Sequence, residues 1–206
     1  HFSQTGAELY AVNPNGEDRF YDVAHSPDGR YMALAGNGEI YIVNTTSQAT
    51  TWTFTNPPGA VNALAWSPDG NYISMCGGWE GSSASFDMYQ YANGAWSRIW
   101  EKTTTTSCAS TTFSSDGSQV IAGMYWYQAD GATARVYESN TGTQVDSFSG
   151  PRPGGCTSSN NNNCGTIYGV TWSPDSKTVV YASKKKTGVD YAESTIDYHF
   201  HFFFNL

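Results

Sequence analysis

Four stretches of the chain share one order of hydrophobic and polar positions: an apolar run ending in a ring, a short polar turn, then a run alternating large with small or polar residues. Residues 61–66 lead into Ser67-Pro68-Asp69-Gly70 and on to Tyr72-Ile73-Ser74-Met75. Val170-Thr171-Trp172 leads into Ser173-Pro174-Asp175-Ser176, and Thr111-Thr112-Phe113 into Ser114-Ser115-Asp116-Gly117. Residues 21–25 lead into Ser26-Pro27-Asp28-Gly29, with His25 where the other copies carry Trp66, Phe113 and Trp172. Alternation with period two predicts strands on either side of each turn. The turn itself is local chemistry: proline at the second position arrives with φ set, serine at the first bonds the following backbone, and glycine suits the fourth.

The spacing of the copies decides how these hairpins are organised. Asp28, Asp69, Asp116 and Asp175 follow one another at intervals of 41, 47 and 59 residues. A period of about 40–45 residues with several short strands per unit is the mark of a β-propeller blade, and the longer intervals read as blades with inserted loops. The expectation is therefore an all-β, single-domain β-propeller with about four motif-bearing blades, near 19–55, 60–102, 107–150 and 167–206. Its interior should hold Trp66, Phe113 and Trp172 between blades, with His25 in the same packing role.

The Trp66-Ser67-Pro68-Asp69-Gly70 and Val170-Thr171-Trp172-Ser173-Pro174-Asp175 runs resemble the WD40-like repeats of TolB-type propellers and, more loosely, WD40 blades. The resemblance covers roughly residues 19–185 and implies a fold, not an activity. Val43-Asn44, Tyr91-Ala92 and Tyr137-Glu138 stand where the Trp-Asp dipeptide of WD40 blades would fall.

Composition narrows the setting. Charged residues make up 14% of the 206 and aromatics 15%, which suits a turn-rich β protein. A net charge of −8 leaves no basic surface to displace counterions, so a nucleic-acid partner is not expected. Lys184-Lys185-Lys186, the one basic run, reads as a solvated loop. No stretch approaches the roughly 18 apolar residues of a membrane span, and no membrane insertion is expected. The chain begins at His1 rather than Met, which reads as a processed or excerpted chain.

Residues 8–13 read as a strand that precedes the first motif strand as residues 52–55 precede the second. Blade four has no turn after residues 194–204 to start an outer strand, so joining it to residues 8–13 would close a ring. The alternative is that Tyr198-His199-Phe200-His201-Phe202-Phe203-Phe204 docks on another chain, with Phe200, Phe202 and Phe204 on one face of an assembly strand. Residues 150–165 form an insert without strand character, in which Cys156 and Cys164 bracket a polar loop and are expected to pair. Cys76 and Cys108 then fall on one face of adjacent blades, where a bridge is sterically reasonable. Four cysteines, an even number, fit an oxidising compartment.

The search for catalytic motifs yields none: no nucleophile elbow, no His-Glu-x-x-His, no phosphate loop, no Cys-x-x-Cys. His199 and His201 would share one side of a strand, yet two ligands do not make a metal site, and neither a metal nor a cofactor is expected. Glu80, Asp87, Asp130 and Asp146 are scattered, and repetition of the motif aspartates favours a role in the turns. Trp79, and Tyr125, Trp126 and Tyr127, place aromatics on the rim where second strands pass to third strands, a candidate face for sugar or protein. Asn44-Thr45-Thr46 is an N-glycosylation acceptor at a strand end, and the Thr103-Thr104-Thr105-Thr106 run and the insert are further places for O-linked sugar.

These readings together favour a non-catalytic propeller, extracellular or at the cell surface. It would serve as a structural or interaction module whose partners are other protein chains, copies of itself through the C-terminal strand, and glycans. A repeating unit of a glycosylated assembly is one form of this. The alternative is a propeller hydrolase or lactonase-like enzyme acting at the central channel through residues such as Asp22 and Asn62, or the propeller part of a larger enzyme.

Overall fold

A computed structural model describes residues 11–16, 19–55, 59–78, 84–104, 106–125, 133–148, 167–185 and 197–204, the last eight, 183–185 and Asn15 by their backbone alone. Among these the strands form four antiparallel sheets, each a simple meander in chain order. The first sheet is β1 (Asp22–His25), β2 (Tyr31–Ala35), β3 (Ile40–Asn44) and β4 (Thr50–Phe54). The second is β5 (Val61–Trp66), β6 (Tyr72–Gly77), β7 (Ala84–Ala92) and β8 (Ala95–Thr104). The third is β9 (Cys108–Phe113), β10 (Gln119–Met124), β11 (Ala134–Glu138) and β12 (Gln144–Phe148). β13 (Ile167–Trp172), β14 (Thr178–Lys185) and β15 (Asp197–Phe204) make the fourth. The inner strands touch in order, β1 with β5, β5 with β9 and β9 with β13, and no comparable contact among the described strands returns from β13 to β1. The sheets are the blades of an all-β propeller, and the described blades form an open arc.

Each blade turns from its first to its second strand through the same four hydrogen bonds. In the second blade Gly70 N–H donates to Ser67 O at 2.9 Å, Ser67 Oγ to Asp69 Oδ1 at 2.5 Å, Asn71 N–H to Asp69 Oδ1 at 3.0 Å, and Tyr72 N–H to Ser67 Oγ at 2.9 Å. The sets at Ser26, Ser114 and Ser173 have the same partners. Serine and aspartate thus satisfy the backbone groups that the hairpin leaves open, which is why these two residue types recur.

Successive turns nest. A Cβ on Gly117 would lie 3.3 Å from Pro68 Cδ, so the glycine of one turn sits on the proline of the turn before. Between the third and fourth blades both partners change: Ser115 replaces the proline and Ser176, at φ 59°, the glycine. The backbone N–H that proline lacks is then present, and Ser115 N–H donates to Ser176 Oγ at 2.9 Å.

Blade interfaces pack one face of each sheet on the sheet before it. Leu64, Ile73, Met75 and Tyr89 of the second blade pack on Ala33, Ala35, Ile42 and Phe54 of the first. Phe113, Val120, Met124 and Tyr137 pack on Ala63, Cys76, Phe86 and Trp100, and Trp172, Val179 and Tyr181 on Ile121, Ala134 and Val136. At Gly123 the approach is so close that a Cβ would meet Ile167 Cγ2 at 2.7 Å. Polar latches join the inner strands. Leu64 N–H donates to Asp22 Oδ2 at 2.9 Å, Asn62 Nδ2 to Cys108 O at 3.0 Å, and Val170 N–H to Ser110 Oγ at 3.2 Å.

Several expectations are corrected here. His25 is exposed rather than packed between blades. Its equivalents in the other repeats, Trp66, Phe113 and Trp172, each pack toward the preceding blade, and no described blade precedes the first. Trp66 is only half-buried, for the reason given below. Residues 11–13 are not a strand; Val12 instead packs on Met32, Leu34, Tyr41 and Val43, and residues 8–10 lie outside the described residues. Lys184 and Lys185 continue β14 rather than opening a loop, and Lys186 lies outside the described residues. So do residues 150–165, with Cys156 and Cys164.

Candidate functional site

On the side of the motif turns, the first and second blades part to leave a cleft of about 760 Å³. Its walls are Trp52 of β4, Trp66 at the end of β5, Tyr91 of β7 and Trp96 of β8, with Pro27, Asp28, Pro68 and Asp69 of two motif turns on its rim. The cleft exists because β7 and β8 run past the other strands as a long hairpin. The hairpin closes at Asn93-Gly94, whose φ values of 54° and 82° are those of the tight two-residue turn that Asn-Gly favours. Tyr91 and Trp96 are direct cross-strand partners beside that turn, their ring centroids 5.3 Å apart. Trp96 meets Trp66 edge to face at 5.5 Å and Phe54 at 6.0 Å. Trp66 Nε1–H donates to Ala24 O at 3.1 Å, which fixes the indole across the blade boundary. The rings therefore support one another and stay partly open, with Tyr91 45% exposed.

Charge at the cleft is set by the motif carboxylates. Donation from Ser26 Oγ and from the Arg30 backbone holds Asp28 below its ordinary value, and exposed Arg30 stands 3.7 Å away. At Asp69 partial burial pushes the carboxyl up, but donation from Ser67 and Asn71 outweighs it and leaves the group lowered. Both are carboxylates at neutral pH, and with Arg30 also lining the cleft beside Asp28 the aromatic surface is edged by two negative charges and one positive.

Deeper in the same blade boundary lies a carboxylate of the opposite kind. Asp87 is wholly buried; Arg98 Nη1 approaches its Oδ2 at 3.4 Å, and Oδ1 has no hydrogen-bond partner. Burial pushes its pKa up to about 6, and nearby Glu101 adds to the shift, while the neighbouring Ser85 hydroxyl and Arg98 oppose it.

The residues singled out from the sequence fall in different places. Asp22 and Asn62, the polar candidates for a channel site, are engaged in the inter-blade latches. Of the proposed aromatic rim, Trp79, Trp126 and Tyr127 lie outside the described residues. Tyr125 is half-buried on the face opposite the motif turns, its ring edge-on to Tyr168 at 6.4 Å. Asn44 ends β3, and its Oδ1 accepts from the backbone N–H of Thr46 and Ser47 at 2.9 and 2.8 Å. Cys76 of β6 and Cys108 of β9 form a disulfide between the second and third blades, Cα to Cα 5.1 Å. Phe200, Phe202 and Phe204, with His199 and His201, lie in β15, which pairs along its length with β14 from Thr178↔Phe204 to Lys185↔Asp197. Among the described residues no three histidines, cysteines or carboxylates are grouped to hold a metal ion, and no helix is long and apolar enough to cross a membrane.

Sequence reasoning missed the cleft. Tyr91-Ala92-Asn93-Gly94-Ala95-Trp96 is a legible hairpin signal, but its convergence with Trp52 and Trp66 depends on how two blades meet.

Comparison with known proteins bears on the fold. The WD domain, G-beta repeat family matches residues 48–83. That span runs from β4 of one blade through β5 and β6 of the next, so the sequence repeat straddles a blade boundary and includes Trp52 and Trp66. A Periodic tryptophan protein 2 homolog from Dictyostelium discoideum is 34% identical over 90 residues, which is 42% of this chain and 10% of that protein. The β-propeller domain of Myceliophteria thermophila Cps50 (Swd1) superimposes with a TM-score of 0.61 at 12% identity, over 80% of this chain and 50% of that one. Residues 48–83 are thus similar to a WD40 repeat, the looser of the two resemblances in the sequence, and the solved structure shares the propeller fold; the TolB-type likeness is not confirmed.

Proposed function

We propose that the chain is a non-catalytic interaction module whose inter-blade cleft holds an extended, basic segment of another protein. The observation that carries this reading is the cleft itself: Trp52, Trp66, Tyr91 and Trp96 converge beside the carboxylates of Asp28 and Asp69. Rings of this kind supply contact area at low entropic cost and accept a cationic side chain over their faces, while carboxylates at the rim favour the same charge. The hydrogen bonds that hold Asp22 and Asn62 between blades support the non-catalytic reading over an enzymatic one. We further propose that the module works in an oxidising, extracellular setting, supported by the Cys76–Cys108 bridge, and that the Asn44 acceptor carries a glycan there.

The test is selection of peptides on the wild-type chain from a displayed library, followed by titration against Trp52→Ala/Trp96→Ala. Peptides rich in Lys or Arg whose affinity falls at least about tenfold, roughly 1.4 kcal/mol, in the folded double variant support the site. Selected peptides that bind both proteins equally defeat it.

A further inference from the structure

The lining of the cleft selects the backbone conformation of what it holds, an inference that rests on reading the cleft as a docking site for a basic segment. Its rings come from β4, β5, β7 and β8, and no strand contributes more than two of the described residues that line it. A segment that docks by adding a strand needs one sheet edge along its length, because main-chain hydrogen bonds give it affinity. The walls offer isolated side-chain donors instead. Trp66 Nε1–H is engaged by Ala24 O, whereas among the described residues the indole N–H groups of Trp52 and Trp96 and the hydroxyl of Tyr91 bond to nothing in the chain. A polyproline II helix has no internal hydrogen bonds and keeps its carbonyls turned outward, so a few separate donors serve it where a ladder is absent.

Ring geometry favours the same ligand. Trp96 stands at 74° to Trp66 and 52° to Tyr91, with centroids 5.5 and 5.3 Å away. Rings tilted in this way present ridges and slots, not the flat platform on which a sugar or a base stacks. Proline fills such slots without loss of side-chain entropy. In polyproline II, prolines three residues apart return to one face after about 9 Å, a distance that two such steps between rings can cover.

The charges call for one cation, not a run of them. Arg30 stands 3.7 Å from Asp28, whereas Asp69, held by Ser67 and Asn71, has no basic side chain within ion-pair distance among the described residues. Asp69 is exposed and three residues after Trp66, so it is the carboxylate left to receive a positive group beside the rings.

We propose that the cleft binds a proline-rich segment in the polyproline II conformation, its prolines seated among Trp66, Tyr91 and Trp96 and a single Lys or Arg beside them paired with Asp69. The donors of Trp52 and Trp96 take the carbonyls of the segment.

The experiment uses peptides selected from a random displayed library on the 206-residue chain, then synthesised and titrated. They should carry prolines three residues apart and one basic residue, and replacing those prolines by alanine should weaken binding at least about tenfold. Asp69→Asn, which keeps the Oδ1 that the turn uses, should weaken binding more than Asp28→Asn does, and that difference should vanish when the basic residue of the peptide is changed to Gln. Selected peptides without such prolines, or alanine versions that bind as tightly, would overturn the proposal. If those peptides still lose affinity for the folded Trp52→Ala/Trp96→Ala variant, the docking reading beneath it stands. Peptides indifferent to that double variant would sink both, and an effect of Asp28→Asn equal to that of Asp69→Asn would overturn the placing of the base.

Discussion

The boundary between the first and second blades and that between the second and third are built from the same repeat, yet they differ in kind. At the second, Phe86, Trp100 and Tyr137 pack ring on ring with centroids 5.4–5.9 Å apart, and a disulfide crosses beside them. At the first, Trp66 and Trp96 stay half-open around a cleft, and a buried carboxylate sits behind them. The comparison teaches that one blade geometry serves either for cohesion or for recognition. What decides is whether the large rings fill the boundary or stop at its mouth.

Substitutions at the two boundaries test this contrast, the closed boundary's core ring first. Phe113→Ala, which hollows out the closed boundary, should cost about 3–5 kcal/mol. Trp66→Ala at the cleft should cost clearly less, because much of that ring is already in water; denaturant unfolding of both variants gives the ranking, and equal losses would erase the distinction. Reduction of Cys76–Cys108, or the double Cys→Ser variant, should remove about 3–4 kcal/mol for a closed loop of this size in the chain-entropy picture. Its effect should appear in melting temperature and leave peptide binding in the cleft unchanged.

A further prediction concerns pH and has two signs. Asp87 is raised to about 6, so the folded state holds a proton that the unfolded state, titrating near 3.8, gives up. Stability from this group is therefore full at low pH and falls as pH rises from about 4 through 6. Asp87→Asn should flatten that decline, and the variant should gain on the wild type by about 1–3 kcal/mol between pH 4 and pH 7. The motif carboxylates act the other way. Asp28, Asp116 and Asp175 are lowered chiefly by their serine hydroxyls, so what they contribute is present above the usual carboxylate pKa and is lost as pH falls through their folded values. Asp116→Asn should accordingly remove a contribution that is present at pH 7 and absent at low pH, so the two variants should show opposite pH trends relative to wild type on one melting-curve series.

The four turns were legible in the sequence because their chemistry is complete within six residues: Ser26, Asp28 and the backbone they bond need nothing from elsewhere. The repeat interval then carried the blades with it, since a period of such hairpins has few ways to bury its apolar faces. What the sequence could not reveal is the fate of a residue that looks outward from its own blade. His25 and Trp66 stand at one position of the repeat, and only the arrangement of blades leaves the first in water and spans the second across a boundary.

The same limit explains Asp87 and the cleft. Asp87 sits in its strand like any polar residue, and its full burial shows only in the folded chain. Trp52, Trp66, Tyr91 and Trp96 belong to four strands of two blades, and their meeting is a long-range event to which no local pattern is sensitive. Local hydrogen bonding and period were thus the sequence's own determination, because both are short-range properties of the chain. Which rings cohere, which stay open and which charge is trapped were decided by tertiary packing, because burial depends on the neighbour that arrives from elsewhere.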